Sequence, residues 1–289
     1  MAPNSPVTFA KSLSDPLQPN RLQALKSLKS WMDRWGSTYE FSSEEIDQLW
    51  RALQLSLWMA DKREVQQQVA ADTVLFIRKI DPVYVVEWNR GFWFNIEKIY
   101  ETVDKYRIPK IHLLIRIYVA ELFHQMSHRS WNQDFVAACS AGIVENLHRA
   151  VGAYIQFLTV FLPELEATVS DSSSLKSAIK SSATFKALLN PVMNVVHKGD
   201  DIPLSVLGKA IEGVLSNEKV VGFSPIVRNW MKSEIQQIAM AQETSQDVRD
   251  KLYGCLDLMD AIPAKPIVKK RKSSDLVEKQ PKTKKPVRA

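Results

Sequence analysis

The stretch LWRALQLSLWMADKREVQQQVA, Leu49–Ala70, decides the class of fold. Leu49, Trp50, Leu53 and Leu57 recur at three- and four-residue steps, and Ile46 extends the stripe backwards. That is one apolar face of an amphipathic helix. Ser42, with Glu45 three residues on, has the form of a capping box at its start. Beyond the Trp58–Lys62 corner, Val65 and Val69 resume an apolar stripe that continues to Phe76. Asp61, with Glu64 three residues later, is expected to cap this second helix. Two one-sided helices joined by a tight corner are a unit that has to be stacked on others to bury both stripes.

The same period runs along most of the chain. Leu25, Leu28, Met32 and Trp35 form an earlier stripe, and Gly36 is expected to close that helix in a left-handed conformation. Asp81-Pro82 opens a helix carrying Val85, Trp88, Phe92, Ile96, Ile99 and Val103, and Pro109 opens one carrying Ile111, Leu114, Ile115, Tyr118, Leu122 and Phe123. Asn132 is a candidate cap for the next. Past Pro163 the serine-rich SDSSSLKS reads as a loop or a frayed helix end. FKALLNPVMNVV, PLSVLGKAIEGVLS, PIVRNWMKSEIQQIAMA and SQDVRDKLYGCLDLMD are further amphipathic helices. No alternating strand pattern is convincing. The expected fold is all-α: an irregular array of antiparallel helix pairs, a HEAT/armadillo-like α-solenoid, with a disordered basic C-terminal tail. The expected boundaries are a flexible stretch 1–8, a helical body 9–262 and the tail 263–289.

Composition agrees. Glycine is scarce, at 9 in 289 residues, which favours helices over turn-rich β structure. The net charge of +6 is unevenly placed: residues 265–289 hold ten Lys/Arg and two Asp/Glu, or +8, which leaves −2 for the rest. The body therefore has no overall attraction to nucleic acid, whereas the tail does. Lys269, Lys270, Arg271 and Lys272, with Lys282, Lys284 and Lys285, form two clusters of the kind that nuclear import receptors or nucleic acid read. Cys139 and Cys255 stand alone among apolar neighbours and read as buried thiols in a reducing compartment. The first fifteen residues lack a signal-peptide core, and the longest apolar run, Ala150–Leu162, is shorter than the ~20 residues of a membrane span. An intracellular protein without a membrane partner is expected.

Catalytic patterns are weak. His124 and His128 share a helix face, but Gln125 stands where a zincin carries glutamate, and a zinc site needs a third or fourth protein ligand. LGKAIEG lacks P-loop glycine spacing, and Asp200-Asp201 fits a turn and cap better than a metal site. No cofactor, metal or small-molecule substrate is expected. Trp31, Trp35, Trp50, Trp58, Trp88 and Trp93 lie on or beside apolar stripes, where core packing is the default and base stacking the rarer use.

Three blocks together resemble the eukaryotic nucleolar ribosomal-RNA-processing protein 1 family. In the opening stretch Trp50, Trp58, Met59, Asp61, Lys62, Val65, Gln66 and Gln67 match, with Ala60 where the family has serine. In FAKSLSD and NRLQALKSLKSWM the matches are Phe9, Ala10, Lys11, Leu13, Arg21, Ala24, Leu25, Lys26, Leu28 and Trp31. In GFWFNIEKIYETVDKYRIPKIHLLIR they are Phe92, Trp93, Asp104, Arg107, Lys110 and Arg116, with Pro109 in place of an acid. The resemblance implies a non-enzymatic assembly factor of the large ribosomal subunit, acting in the nucleolus on pre-60S particles that hold pre-rRNA and other assembly factors. A nuclear helical-repeat adaptor unconnected to ribosomes is the alternative. Lys62, Gln66, Gln67, Arg107 and Lys110 are the candidate partner or RNA contacts; a solvated helix face explains the three polar residues of the opening stretch equally well.

Overall fold

The computed structural model describes residues 5–147, 149–171, 182–194, 206, 208, 209, 212 and 224–261. Among these, every regular element is helical. A turn at Pro6–Phe9 leads into α1 (Ala10–Leu13) and α2 (Gln18–Trp35). Then come α3 (Ser43–Trp58), α4 (Arg63–Val74), α5 (Val85–Tyr100), α6 (Ile108–His128), α7 (Gln133–Leu147) and α8 (Val151–Asp171). The series ends with α9 (Ser182–Asn194), α10 (Ser224–Met240) and α11 (Gln246–Ala261). The all-α array expected from periodicity is the fold found.

Local chemistry sets several starts. Glu45 N–H donates to Ser42 Oγ at 3.2 Å and Ser42 N–H to Glu45 Oε2 at 3.1 Å, completing the capping box of α3. Asn132 Oδ1 accepts from Phe135 N–H at 3.0 Å ahead of α7. Asp81 caps a single 3-10 turn, Pro82–Tyr84, that feeds α5. Two expectations need correction. Asp61 does not cap α4: that helix starts at Arg63 and Lys62 is the cap residue, without a side-chain bond. Asp61 sits one position too early for its carboxylate to reach the first free amides. Gly36 closes α2 in a right-handed conformation, φ −54°. Glycine is required there for space, since a Cβ would lie 2.6 Å from the Lys79 carbonyl oxygen and 2.7 Å from that of Met32.

Three stripe details also shift. Phe76 is buried in a 3-10 turn after α4, Val103 lies past the end of α5, and α8 runs through Pro163 to Asp171. The part of SDSSSLKS beyond Asp171, and most of PLSVLGKAIEGVLS, lie outside the described residues.

Connectors of only four residues, 59–62 and 129–132, link α3 to α4 and α6 to α7. The second connector contains two left-handed residues, Ser130 (φ 51°) and Trp131 (φ 54°), at a cost of about 1–2 kcal/mol each. Burial of the Trp131 ring offsets that strain. From α3 to α9 the dominant packing joins helices two places apart, α3 to α5, α5 to α7 and α7 to α9 in one layer and α4 to α6 and α6 to α8 in the other, whereas α10 packs mainly on its neighbour α11. Side chains tie neighbouring helices together within each layer. Trp50 Nε1–H donates to the Trp88 carbonyl at 3.0 Å, Asn89 Nδ2 to the Cys139 carbonyl at 3.0 Å, and Arg116 pairs with Glu164 at 2.7 Å. This alternation is the stacking rule of an α-solenoid. One connected core runs from Leu13 to Met259, with Trp50, Trp88, Phe92, Trp93 and Tyr118 fully buried at the junction of the layers. Phe92 stacks on Tyr118 at 3.6 Å between centroids, and Trp50 meets Phe92 edge-on at 5.0 Å.

Candidate partner and RNA interface

The end of α3 leaves carbonyl groups with no helical partner. Lys110, from the first turn of α6, donates its ammonium to the carbonyls of Trp58, at 2.7 Å, and Ala60. Arg21, from α2, donates to Met59 O at 2.7 Å and to Asp15 O and Pro16 O at 2.8 Å each. Gln66 Nε2 spans Ala60 O and Asp61 O at 3.0 Å each. Two cations thus sit at the negative end of a helix dipole and close its free acceptors. Lys110 is only 9% exposed. Burial pulls its pKa below the ordinary lysine value, against the field of Asp61.

The candidate contact residues therefore divide. Lys110 and Gln66 spend their polar ends on the backbone of the corner. Lys62, Gln67 and Arg107 stay exposed. The Arg107 guanidinium lies 5.2 Å from the Trp58 ring centroid and pairs with Asp104. Asp104 also accepts the Tyr106 amide at 2.9 Å and the Arg107 amide at 3.2 Å, which shapes the turn before α6. That turn presents a residue the sequence reading passed over: Tyr106 is 79% exposed, with Lys105 Nζ 5.1 Å from its ring. Its position between cations and off both apolar stripes was the available signal. Lys269 to Lys272 and Lys282 to Lys285 lie outside the described residues.

No group of three His, Cys, Asp or Glu able to hold a metal occurs among the described residues; His124 is half-buried and His128 exposed. Burial pushes the Cys139 thiol up to about 12 and the Cys255 thiol up to about 11, so neither is a thiolate near neutrality. His112 stacks on Tyr100, with Nε2 3.0 Å from the phenol oxygen. No described helix is long and apolar enough to cross a membrane.

The family profile described as nucleolar protein, Nop52, matches residues 4–278. The chain belongs to this Nop52 family. Among its relatives is the ribosomal RNA processing protein 1 homolog of Drosophila melanogaster, 24% identical over 163 residues, which are 54% of this chain and 23% of the fly protein. Homolog B of Homo sapiens is 20% identical over 167 residues, 55% of this chain and 22% of the human one. The Caenorhabditis elegans homolog is 24% identical over 133 residues, 44% and 32% of the two chains. The alignments thus cover a third or less of each of these three relatives. A designed armadillo repeat protein aligns with 88% of this chain and 99% of its own at 12% identity, but at a TM-score of 0.25. That likeness carries no weight, and the solenoid assignment rests on the helix contacts.

Proposed function

We propose that this protein is a non-catalytic scaffold in ribosomal-RNA processing, held within nucleolar precursors of the large ribosomal subunit. The observation that carries the reading is the Nop52 family match over residues 4–278, spanning the helical body and much of the tail. The relatives' names supply ribosomal RNA processing; the large-subunit precursor and the scaffold role go beyond those names and are part of the proposal. In it, the helical body to residue 262 is placed by shape and protein contacts, and residues 263–289 are a basic tail. Lys269, Lys270, Arg271 and Lys272 are the main nuclear-import cluster, with Lys282, Lys284 and Lys285 a second. At the corner, Lys62, Gln67 and Arg107, now joined by Tyr106, are the contact residues; Lys110 and Gln66 support them from within.

Charge divides the labour. Each cation that meets a single-strand phosphate gives a log–log salt slope of about −0.7. With +8 in the tail and −2 elsewhere, affinity for naked RNA resides in the tail. The test is a chain ending at residue 263 and carrying an unrelated import signal. It is expected to lose most naked-RNA binding yet still sediment with large precursor particles from nuclear extract. Failure to enter those particles would make the tail the recruiting element and end the scaffold reading.

A further inference from the structure

Residues 5–13 form a strap that packs on α2 and α3 and buries Pro6 and Leu13. It is tied down at both ends. Beyond α1, Arg21 donates to Asp15 O and Pro16 O at 2.8 Å each. At the other end, Ser5 Oγ donates to Glu45 Oε1 at 2.5 Å. We infer that Ser5 is a phosphorylation site for a proline-directed protein kinase, and that its phosphate unfastens the strap.

Two independent observations meet at Ser5. The first is its context: Pro6 follows, making one of the two Ser-Pro pairs in the chain, the form that such kinases accept. The second is the group its hydroxyl faces. Glu45 Oε1 also accepts from the Tyr39 hydroxyl at 2.7 Å, and Oε2 accepts the Ser42 amide at 3.1 Å. Burial raises the Glu45 pKa, but the bonds from Ser5, Tyr39 and Ser42 outweigh it and hold the group below its ordinary value. It is therefore a carboxylate at neutral pH. An uncharged hydroxyl donates to that carboxylate; a phosphate dianion has no proton to give and is repelled.

The kinase transfers the γ-phosphoryl group of ATP. The bond from Ser5 Oγ to phosphorus forms, the bond to the β-phosphate oxygen breaks, ADP leaves and the hydroxyl proton passes to the kinase's base. Ser5 is half-buried, so the transfer takes place on the frayed strap, and the new charge opposes its return. That charge is about −1.5 to −2, set against an acidic neighbour. The positive end of α3 does not compensate, because Glu44 and Glu45 already fill its first turn with negative charge. Release runs from Ser5 as far as the Arg21 bonds at Asp15 and Pro16, and uncovers the sides of α2 and α3 that the strap covers.

The test uses purified full-length protein, a proline-directed kinase with ATP, and a low dose of trypsin; it does not depend on the nucleolar reading. Lys11 is exposed but held in α1, so cleavage after it reports opening of the strap. Mass spectrometry should place a phosphate on Ser5. Kinase treatment should then speed cleavage after Lys11 by at least about tenfold, the worth of one charge-assisted hydrogen bond. Ser5→Ala should show no acceleration, even if Ser224 of the other Ser-Pro pair is modified. Glu45→Gln keeps the capping box, since glutamine also serves at that position, and should reduce the acceleration severalfold. The proposal is overturned if Ser5 is not modified, or if its phosphate leaves cleavage unchanged or slows it, which would mean the α3 amides hold the phosphate. It is also overturned if Ser5→Ala or Glu45→Gln shows the full acceleration.

Discussion

The ammonium of Lys110 lies 2.7 Å from the carbonyl oxygen of Trp58, fifty-two positions earlier in the chain. This bond ties the first turn of α6 to the last turn of α3 across the intervening α4 and α5. With Arg21 and Gln66 it turns the Trp58–Lys62 corner into a junction of four elements. Lys110→Met is expected to destabilise the protein by about 1.5–3 kcal/mol, the worth of a hydrogen-bonded buried charge. The midpoint of urea unfolding measures it; an unchanged midpoint would mean the carbonyls are satisfied without the lysine.

Asp61→Ala is expected to change stability by less than about 0.5 kcal/mol, as for an ordinary surface position. A true cap residue would cost about 1 kcal/mol. Urea unfolding of the single variant separates the two values.

Trp50→Ala is expected to cost about 3–5 kcal/mol, because the ring is fully buried and its removal leaves a cavity. Trp50→Phe should cost less, yet more than the lost area alone, since the buried indole hydrogen bond to the Trp88 carbonyl is lost as well. Equal stability of Trp50→Ala and wild type would place the ring outside the core.

Gly36→Ala should destabilise by about 1–3 kcal/mol through overpacking, although the backbone there is helical and alanine is otherwise the better helix former. The cause is the Lys79 carbonyl 2.6 Å from the added methyl carbon. Stabilisation instead would show that the Lys79 turn gives way freely.

His112 supplies a pH dependence. Burial lowers its pKa from the ordinary 6.5. Above 6.5 both folded and unfolded chains are neutral at this site and stability is whole. As pH falls below 6.5 the unfolded chain binds a proton that the folded chain resists, and stability declines until the lowered folded value is passed. His112→Gln should flatten that decline in urea midpoints measured between pH 7.5 and pH 5.5. A parallel decline in the variant would assign the effect to other groups.

The fold was largely legible because helical periodicity is written in neighbours. Ile46, Leu49, Trp50, Leu53 and Leu57 announce a stripe, and all five are buried. Ser42 and Glu45 announce a start, and both cap bonds form. The corner was legible as a place and not as chemistry. Lys62 and Arg107 are exposed as a charged residue ordinarily is. Lys110 and Gln66 were read the same way but face inward, and Arg21 and Tyr106 were not singled out as contacts at all.

The sequence by itself determined the helices, their apolar faces and the division of charge between body and tail, because each depends on residues within a few positions of one another. The tertiary structure decided which polar side chains turn inward. A helix end exposes carbonyls that its own segment cannot satisfy, and only packing reveals which distant cation arrives to bind them. Lys110, Arg21 and Gln66 acquire their roles at that contact, as Gly36 acquires its need for space from the Lys79 carbonyl.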